Sequence, residues 1–338
     1  MLKIVGDINL TDGYFDVGFG IGSRLKDGLD PFMHLSRTSE DCWIGNFEGV
    51  ASEISSENGN AALQFRVNPM YLRHFRHFDF YGCANNHAMQ HGAEAYNNTI
   101  ESLESLGSKT FGSEAKKTQI FSHQGQVVSI TGFSQRVDAF AESPLYWHNP
   151  EYVDIQDELS RVPPNAYKIV YVHWGNEFIS RPSSQQKRFA HWLVDAGFDL
   201  VIGMHPHILQ GYEKYKGKYI FYSLGNFVFD MPWEPTKYGA IISIDLSSEN
   251  AQPSIDYVKI SDDYIPSIVE LDQVPNTLRF EYLNSLINKD DNSEEYHTEI
   301  YRCYKSYRRA NHKDILLKMI HHPKMIYGVI NDYISRRF

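Results

Sequence analysis

Residues 199–207 read Asp-Leu-Val-Ile-Gly-Met-His-Pro-His. A short apolar run between Asp199 and Gly203 predicts a buried strand. It delivers His205 and His207 to its carboxyl end, one proline apart. Pro206 fixes its own φ and favours an extended His205, and alternate residues of an extended chain point the same way. Two imidazoles held stiffly and aimed together suit a metal ion. A turn with two solvated histidines would also fit this stretch, so the rest of the chain decides.

The same grammar recurs along the chain. The apolar run 2–5 ends in Gly6-Asp7, with Asn9 two residues on. The run 42–46 ends in Asn46-Phe47-Glu48-Gly49. The run 78–83 ends in Ala84-Asn85-Asn86-His87. The run 168–172, β-branched and aromatic, ends in His173-Trp174-Gly175-Asn176-Glu177. Helices are predicted between them: one from Pro69, capped by Asn68, to about residue 77, one over 93–106, and one over 185–196 closed by Gly197. Strands 127–133, 218–222, 240–246 and 255–260 complete a β/α chain. In such sheets ligands collect outside the carboxyl ends of the strands. Asp7, Asn9, Glu48, Asn86, His87, His173, His205 and His207 all stand at such ends. A set of imidazoles, carboxylates and amides suits Mn, Fe or Zn better than Ca or Mg. The cysteines Cys42, Cys83 and Cys303 are scattered, which argues against a structural zinc site and against a disulfide framework. A carboxylate shared by two ions suits in-line attack on a phosphoryl group, with a histidine off the metal as general acid; His87 is the candidate for the acid.

The chain of 338 residues carries a formal charge of −10, which argues against nucleic acid as a partner. The charge is uneven: residues 301–338 hold nine Lys/Arg and two Asp/Glu. Ile326, Val329, Ile330, Tyr333 and Ile334 fall on one helical face, with Lys324, Arg336 and Arg337 at its ends. Such a tail either packs on the main domain or lies on an anionic membrane surface or polysaccharide-assembly complex. The N-terminus enters a strand without a secretory apolar region, and no run is long and apolar enough to span a bilayer. A cytoplasmic place, peripheral to the inner face of the membrane if the tail binds there, is the expectation. The aromatic segment 139–150 is a candidate lid, substrate wall or packing element.

Taken in order, Gly6-Asp7, the Asn-Phe-Glu-Gly of 46–49, the Ala-Asn-Asn-His of 84–87, the His-Trp-Gly-Asn-Glu of 173–177, the Gly-Met-His-Pro-His of 203–207 and the Tyr-Ser-Leu-Gly-Asn-Phe of 222–227 resemble the CapA family of capsule and poly-γ-glutamate synthesis proteins. The resemblance covers about residues 1–246. It implies a divergent branch of the calcineurin-like metallophosphoesterases: an α/β chain folded as a four-layer αββα metallophosphatase-like sandwich over 1–270, with a helical, basic C-terminal extension over 271–338. It further implies one or two divalent transition-metal ions (Mn, Fe or Zn). One would take Asp7, Asn9, Glu48 and His207; the other Glu48, Asn86, His173 and His205. Asn85, Glu177 and Asn226 would support these ligands by hydrogen bonds. The chain departs from the phosphoesterase pattern at Asn9, where those enzymes have histidine, at Glu48, where they have aspartate, and at Ala88, where they have an aspartate that orients the preceding histidine.

The expected function is a metal-dependent hydrolase, of phosphoesterase type, acting on a phosphorylated or anionic glycan or polymer during capsule, exopolysaccharide or poly-γ-glutamate synthesis. Two other readings stand beside it. One is a non-catalytic scaffold of a polysaccharide synthesis or export complex. The other is an amide-ligase role in poly-γ-glutamate synthesis, for which no phosphate-cradling glycine loop is visible.

Overall fold

The apolar runs pair into two sheets. The first, of eight strands, runs Pro266–Val269, Ser254–Ile260, Tyr238–Ile244, Leu2–Ile8, Cys42–Phe47, Phe80–Gly82, Lys109–Phe111, with Asn226–Val228 also paired to Leu2–Ile8. The second, of six, runs Leu209–Tyr215, Lys218–Leu224, Leu200–Met204, Tyr167–His173, Gln126–Ser134, Thr118–His123. The computed structural model describes residues 1–11, 20–59, 61–74, 76–136, 143–248, 251–289, 294–321 and 326.

Strand periodicity explains the layering. Ile4 and Val5 are consecutive and face opposite ways, as do Ile169 and Val170. Ile4, Ile44, Phe80, Ile130, Ile169, Ile202 and Phe221 meet in one core between the sheets. Val5, Ile8 and Tyr81 face outward into a second core with Tyr96 and Leu103. Val170, Val172 and Val201 face the other way into a third, with Ile155, Phe189 and Leu193. The outer faces are covered by helices. After the short α1 (Ile21–Lys26), α2 (Gly92–Ser105) covers the first sheet, and α3 (Tyr152–Ser160) and α4 (Ser184–Ala196) cover the second. The order helix, sheet, sheet, helix is the four-layer αββα sandwich. The Tyr171 hydroxyl crosses between the sheets to the carbonyls of Val5 at 3.3 Å and Ile44 at 3.2 Å, so this buried polar group is satisfied.

Around the centre of each sheet the strands are parallel. Their carboxyl ends therefore open on one side. There Asp7 stands level with Asn46 and Asn226, and His173 level with Met204 and Ser134. Close approach at this edge needs Gly6, where a Cβ would stand 1.9 Å from the Gly225 carbonyl oxygen.

One local expectation is corrected, and one strand was not foreseen. The helix from Pro69 is a 3-10 segment, Pro69–His74, not a helix to residue 77. Leu209–Tyr215 is a strand that the sequence pattern did not reveal. It forms a hairpin with Lys218–Leu224 across Lys216 and Gly217, whose φ of 48° and 82° match the twist of a two-residue hairpin. Lys-Gly is a weaker signal for that turn than Asn-Gly.

Beyond the sheets, α5 (Phe280–Leu286) lies on Leu209–Tyr215, where Asn284 Oδ1 accepts the Tyr212 N–H at 2.7 Å and Leu283 is fully buried. The helix α6 (Glu294–His321) reaches back to the strand-end side. Tyr307 stacks on Phe178 with centroids 4.1 Å apart, and Glu299 pairs with the buried Arg181 at 3.0 Å. Farther along, Leu316, Leu317 and Ile320 of α6 are exposed. Of the amphipathic face expected over 326–334, only Ile326 is described; Lys324, Arg336 and Arg337 lie outside the described residues. So do residues 139–142 of the aromatic segment, whose Tyr146 and Trp147 are buried in the packing. Among the described residues, no helix is long and apolar enough to cross a membrane.

Candidate metal centre

Five strand ends meet around Glu48. Its side chain is fully buried, and neither carboxylate oxygen has a hydrogen-bond partner among the described residues. Three imidazole nitrogens surround Oε1: His207 Nε2 at 3.7 Å, His173 Nε2 at 3.8 Å and His87 Nε2 at 3.9 Å. A buried carboxylate without a cation costs several kcal/mol. Burial, with Asp7 and Glu177 nearby, holds the Glu48 carboxyl well above the usual carboxylate range. Burial likewise pushes Asp7 up to about 7, although hydrogen bonds from Asn46 and the His205 N–H act to lower it. Every imidazole is pushed the other way by desolvation, His87 to about 4 and His207 to about 3, with His173 and His205 well below the usual range. Neutral imidazoles around buried carboxyl groups, with no Lys or Arg ion-paired to Asp7 or Glu48 among the described residues, are a donor set fitted to a divalent cation.

The donors fall into two groups. Around His173 Nε2 stand Asn86 Oδ1 at 2.7 Å, His205 Nδ1 at 3.1 Å and Glu48 Oε1 at 3.8 Å. Two donors about 2.1 Å from one ion stand roughly 3.0–3.4 Å apart at octahedral or tetrahedral angles, so these four atoms can close on one ion with small shifts. Asp7, Glu48 and His207 form the second group, their ligand atoms within 4.8 Å of one another. His207 Nδ1 lies 3.0 Å from Asn226 Oδ1, whose amide nitrogen donates to the Thr236 carbonyl at 3.0 Å. Nδ1 therefore carries the proton and Nε2 presents its lone pair toward Glu48. Glu177 faces His205 and His207 in a third grouping at the same limit of 4.8 Å.

The expected extended His205 is corrected. Its φ is 95° and that of His207 is 59°, both in the left-handed region that side chains avoid. Each such residue costs about 1–3 kcal/mol. The bend is held by the His205 N–H donating to Asp7 Oδ2 at 3.1 Å and by the Pro206 carbonyl accepting the Phe178 N–H at 2.9 Å. The histidines thus converge because the strand has ended, not because it continues.

Asn9 lies fully buried at the same end, but its Oδ1 accepts from the Thr11 N–H at 2.9 Å and the Thr11 hydroxyl at 2.7 Å. Asn85 ties two strand ends together: its amide donates to the Phe47 carbonyl at 2.8 Å, and its oxygen accepts the His87 N–H at 3.1 Å. His87 is oriented without the aspartate that Ala88 replaces. Its Nδ1 lies 2.9 Å from Gln90 Oε1, and its ring stacks on Phe65 with centroids 3.7 Å apart. Gln90, Phe65 and Asn46 belong to the site and were not singled out from sequence. Asn46, whose amide donates to Asp7 Oδ1 at 2.8 Å, was legible in principle, since it alternates with Glu48 along one chain face. Arg136 was also missed. It follows Ser134, which pairs in register with His173, and its charge acts on His173, His205 and Glu177.

Known proteins resemble this chain in sequence and in fold. Residues 1–231 match the family model described as bacterial capsule synthesis protein PGA_cap. The capsule biosynthesis protein CapA of Bacillus anthracis is 32% identical over 200 residues, which is 54% of this chain and 48% of that protein. The PGA biosynthesis protein CapA of Bacillus subtilis is 30% identical over 238 residues, 65% of this chain and 61% of that protein. The chain thus spans about half to three-fifths of the length of these relatives. Among solved structures, a phosphatase from Mycoplasma pneumoniae aligns with 80% of this chain and 90% of its own at 11% identity and a TM-score of 0.41.

Proposed function

This chain belongs to the PGA_cap family of bacterial capsule synthesis proteins, and on that premise we propose that it is a metal-dependent hydrolase of phosphoester type, serving capsule, exopolysaccharide or poly-γ-glutamate synthesis. The observation that carries the reading is Glu48: a fully buried carboxylate whose oxygens have no hydrogen-bond partner among the described residues, ringed by neutral imidazoles at 3.7–3.9 Å. In this reading Glu48, Asn86, His173 and His205 hold one divalent ion, and Asp7, Glu48 and His207 a second. Bound there, such ions polarise a phosphoryl oxygen and activate water.

The remaining residues have definite tasks. Asn46 and Asn226 fix Asp7 and His207 through bonds of 2.8 and 3.0 Å. His87 keeps one ring nitrogen on Gln90 and turns the other to the cluster, 3.9 Å from Glu48 Oε1. Its ring is the least enclosed of the cluster's four, with 17% of the side chain exposed. Held neutral with its proton on the Gln90 side, it presents the Nε2 lone pair to the cluster. It acts as general acid once that nitrogen has taken up a proton, which an anionic substrate beside it favours. Arg136, two residues past Ser134, which pairs in register with His173, bears a positive charge that acts on His173 and His205, and in this reading it draws an anionic substrate to the cluster. A screen of phosphoesters with Mn²⁺-reconstituted protein tests the reading: turnover is expected in the wild type and lost in Glu48→Gln. Full metal loading without turnover of any substrate would favour the scaffold reading, which the engagement of Asn9 by Thr11 keeps in view.

A further inference from the structure

Asn9 is where the two halves of the centre stop being equivalent. The Thr11 backbone N–H at 2.9 Å can only donate, so the amide atom facing it is the oxygen. The Thr11 hydroxyl donates to the same oxygen at 2.7 Å. A carbonyl oxygen has two lone pairs, and both are used. The other branch of the amide is then Nδ2, which is buried and, among the described residues, without a partner. It lies by the Glu48–Gly49 corner, 3.9 Å from where a Cβ on Gly49 would stand. An NH₂ group donates hydrogen bonds and has no lone pair for a cation. Asn86 is the reverse case, its oxygen turned to His173 Nε2 at 2.7 Å.

Resting on the metal-centre reading above, we propose that the centre is unequal by construction. A tight position has four donors, from Glu48, Asn86, His173 and His205. A weak, exchangeable position has three, from Asp7, Glu48 and His207. Thr11 is the positioning residue that keeps Asn9 from completing the weak one. Occupancy of the second ion then follows the supply of divalent metal, while the first stays bound.

The test is calorimetric titration of metal-free protein with Mn²⁺, with elemental analysis after dialysis, on wild type, Asn9→Asp and Thr11→Val. Asn9→Asp keeps one oxygen for both Thr11 bonds and puts a second oxygen where Nδ2 stands. The wild type is expected to show two classes of site at least roughly tenfold apart, a range that a metal's supporting contacts command. Asn9→Asp is expected to tighten the weaker class about tenfold or more and leave the tighter one in place. Thr11→Val, which frees one lone pair, moves the weaker class in the same direction by less. Two equal classes in the wild type overturn the inequality, and an unmoved weaker class in both variants overturns the role given to Asn9 and Thr11; either result leaves the metal-centre reading standing. No binding by any of the proteins overturns both. The affinity ratio between classes is read within one protein, so a general loss of stability does not imitate the expected result.

Discussion

His173 Nε2 and His205 Nδ1 stand 3.1 Å apart, the first at the end of Tyr167–His173 and the second just past the neighbouring strand. That separation is about the edge of a coordination polyhedron. Both rings are buried and held neutral by desolvation, and His205 Nε2 has no partner. His205→Ala should therefore remove the ion of the four-donor position. A chelator should lower the melting temperature of the wild type by more than that of His205→Ala. At ion concentrations 100 times the dissociation constant, the stabilisation lost is about 2.7 kcal/mol.

Proton competition gives the centre a definite pH dependence. Asp7, near 7, and Glu48, well above the usual range, must lose their protons to bind a cation. Apparent metal affinity should fall as pH drops below 7, by about tenfold per unit for each proton displaced. Calorimetry in buffers of different ionisation enthalpy should register proton release on binding. In metal-free protein Asp7 binds its proton more tightly folded (about 7) than unfolded (3.8), so its contribution is present below pH 3.8 and lost as pH rises through 7. His87 and His207 act oppositely: held near 4 and 3 when folded against 6.5 unfolded, they contribute above pH 6.5 and lose that contribution as pH falls. The two trends oppose each other over the same range, so metal-free melts across pH 4–8 on wild type and Asp7→Asn separate them.

His87→Asn should lower kcat about 10²–10⁴-fold if His87 is the general acid, with metal content unchanged. Gln90→Leu removes only the acceptor 2.9 Å from Nδ1 and should cost less, about 10–100-fold, as loss of an orienting contact does. Steady-state kinetics on a phosphoester with elemental analysis of each variant checks both. Equal turnover in wild type and His87→Asn removes the assignment.

Arg136→Gln should raise KM for an anionic substrate, and the inhibition constant of inorganic phosphate, about tenfold or more, as expected for one charge-assisted hydrogen bond. A neutral additive that binds elsewhere should be unaffected. Inhibition assays with phosphate on the two proteins decide it.

Breaking the Arg181–Glu299 pair by Arg181→Met should loosen α6. Arg181 is 2% exposed, whereas the Glu299 side chain is 31% exposed, so the cost is modest, about 1–2 kcal/mol. Limited proteolysis should then cut within 294–321 faster, while the sheets resist.

The strand-end carboxylates and imidazoles were legible because each apolar run stops at a polar residue, and parallel strands must bring such stops together. Glu48, Asn86, His173 and His205 were visible one by one for that reason. The hairpin strand Leu209–Tyr215 was not, because half its residues face solvent or α5 and its turn is Lys-Gly. The left-handed backbone of His205 was hidden behind Pro206, whose local effect favours the opposite conformation. The support of His87 by Gln90 needs the loop's shape, and the Asn9–Thr11 bonds need rotamers that spacing does not encode. Contacts such as Asn176 with Tyr296, across 120 residues, arise only once the sandwich has formed.

The most direct measurement is the metal content of protein purified without added metal or chelator, by elemental analysis, in wild type and His205→Ala. The account predicts at least one transition-metal ion per chain in the wild type and its loss in the variant. No bound metal in the wild type, even after reconstitution with Mn²⁺, Fe²⁺ or Zn²⁺, would contradict it.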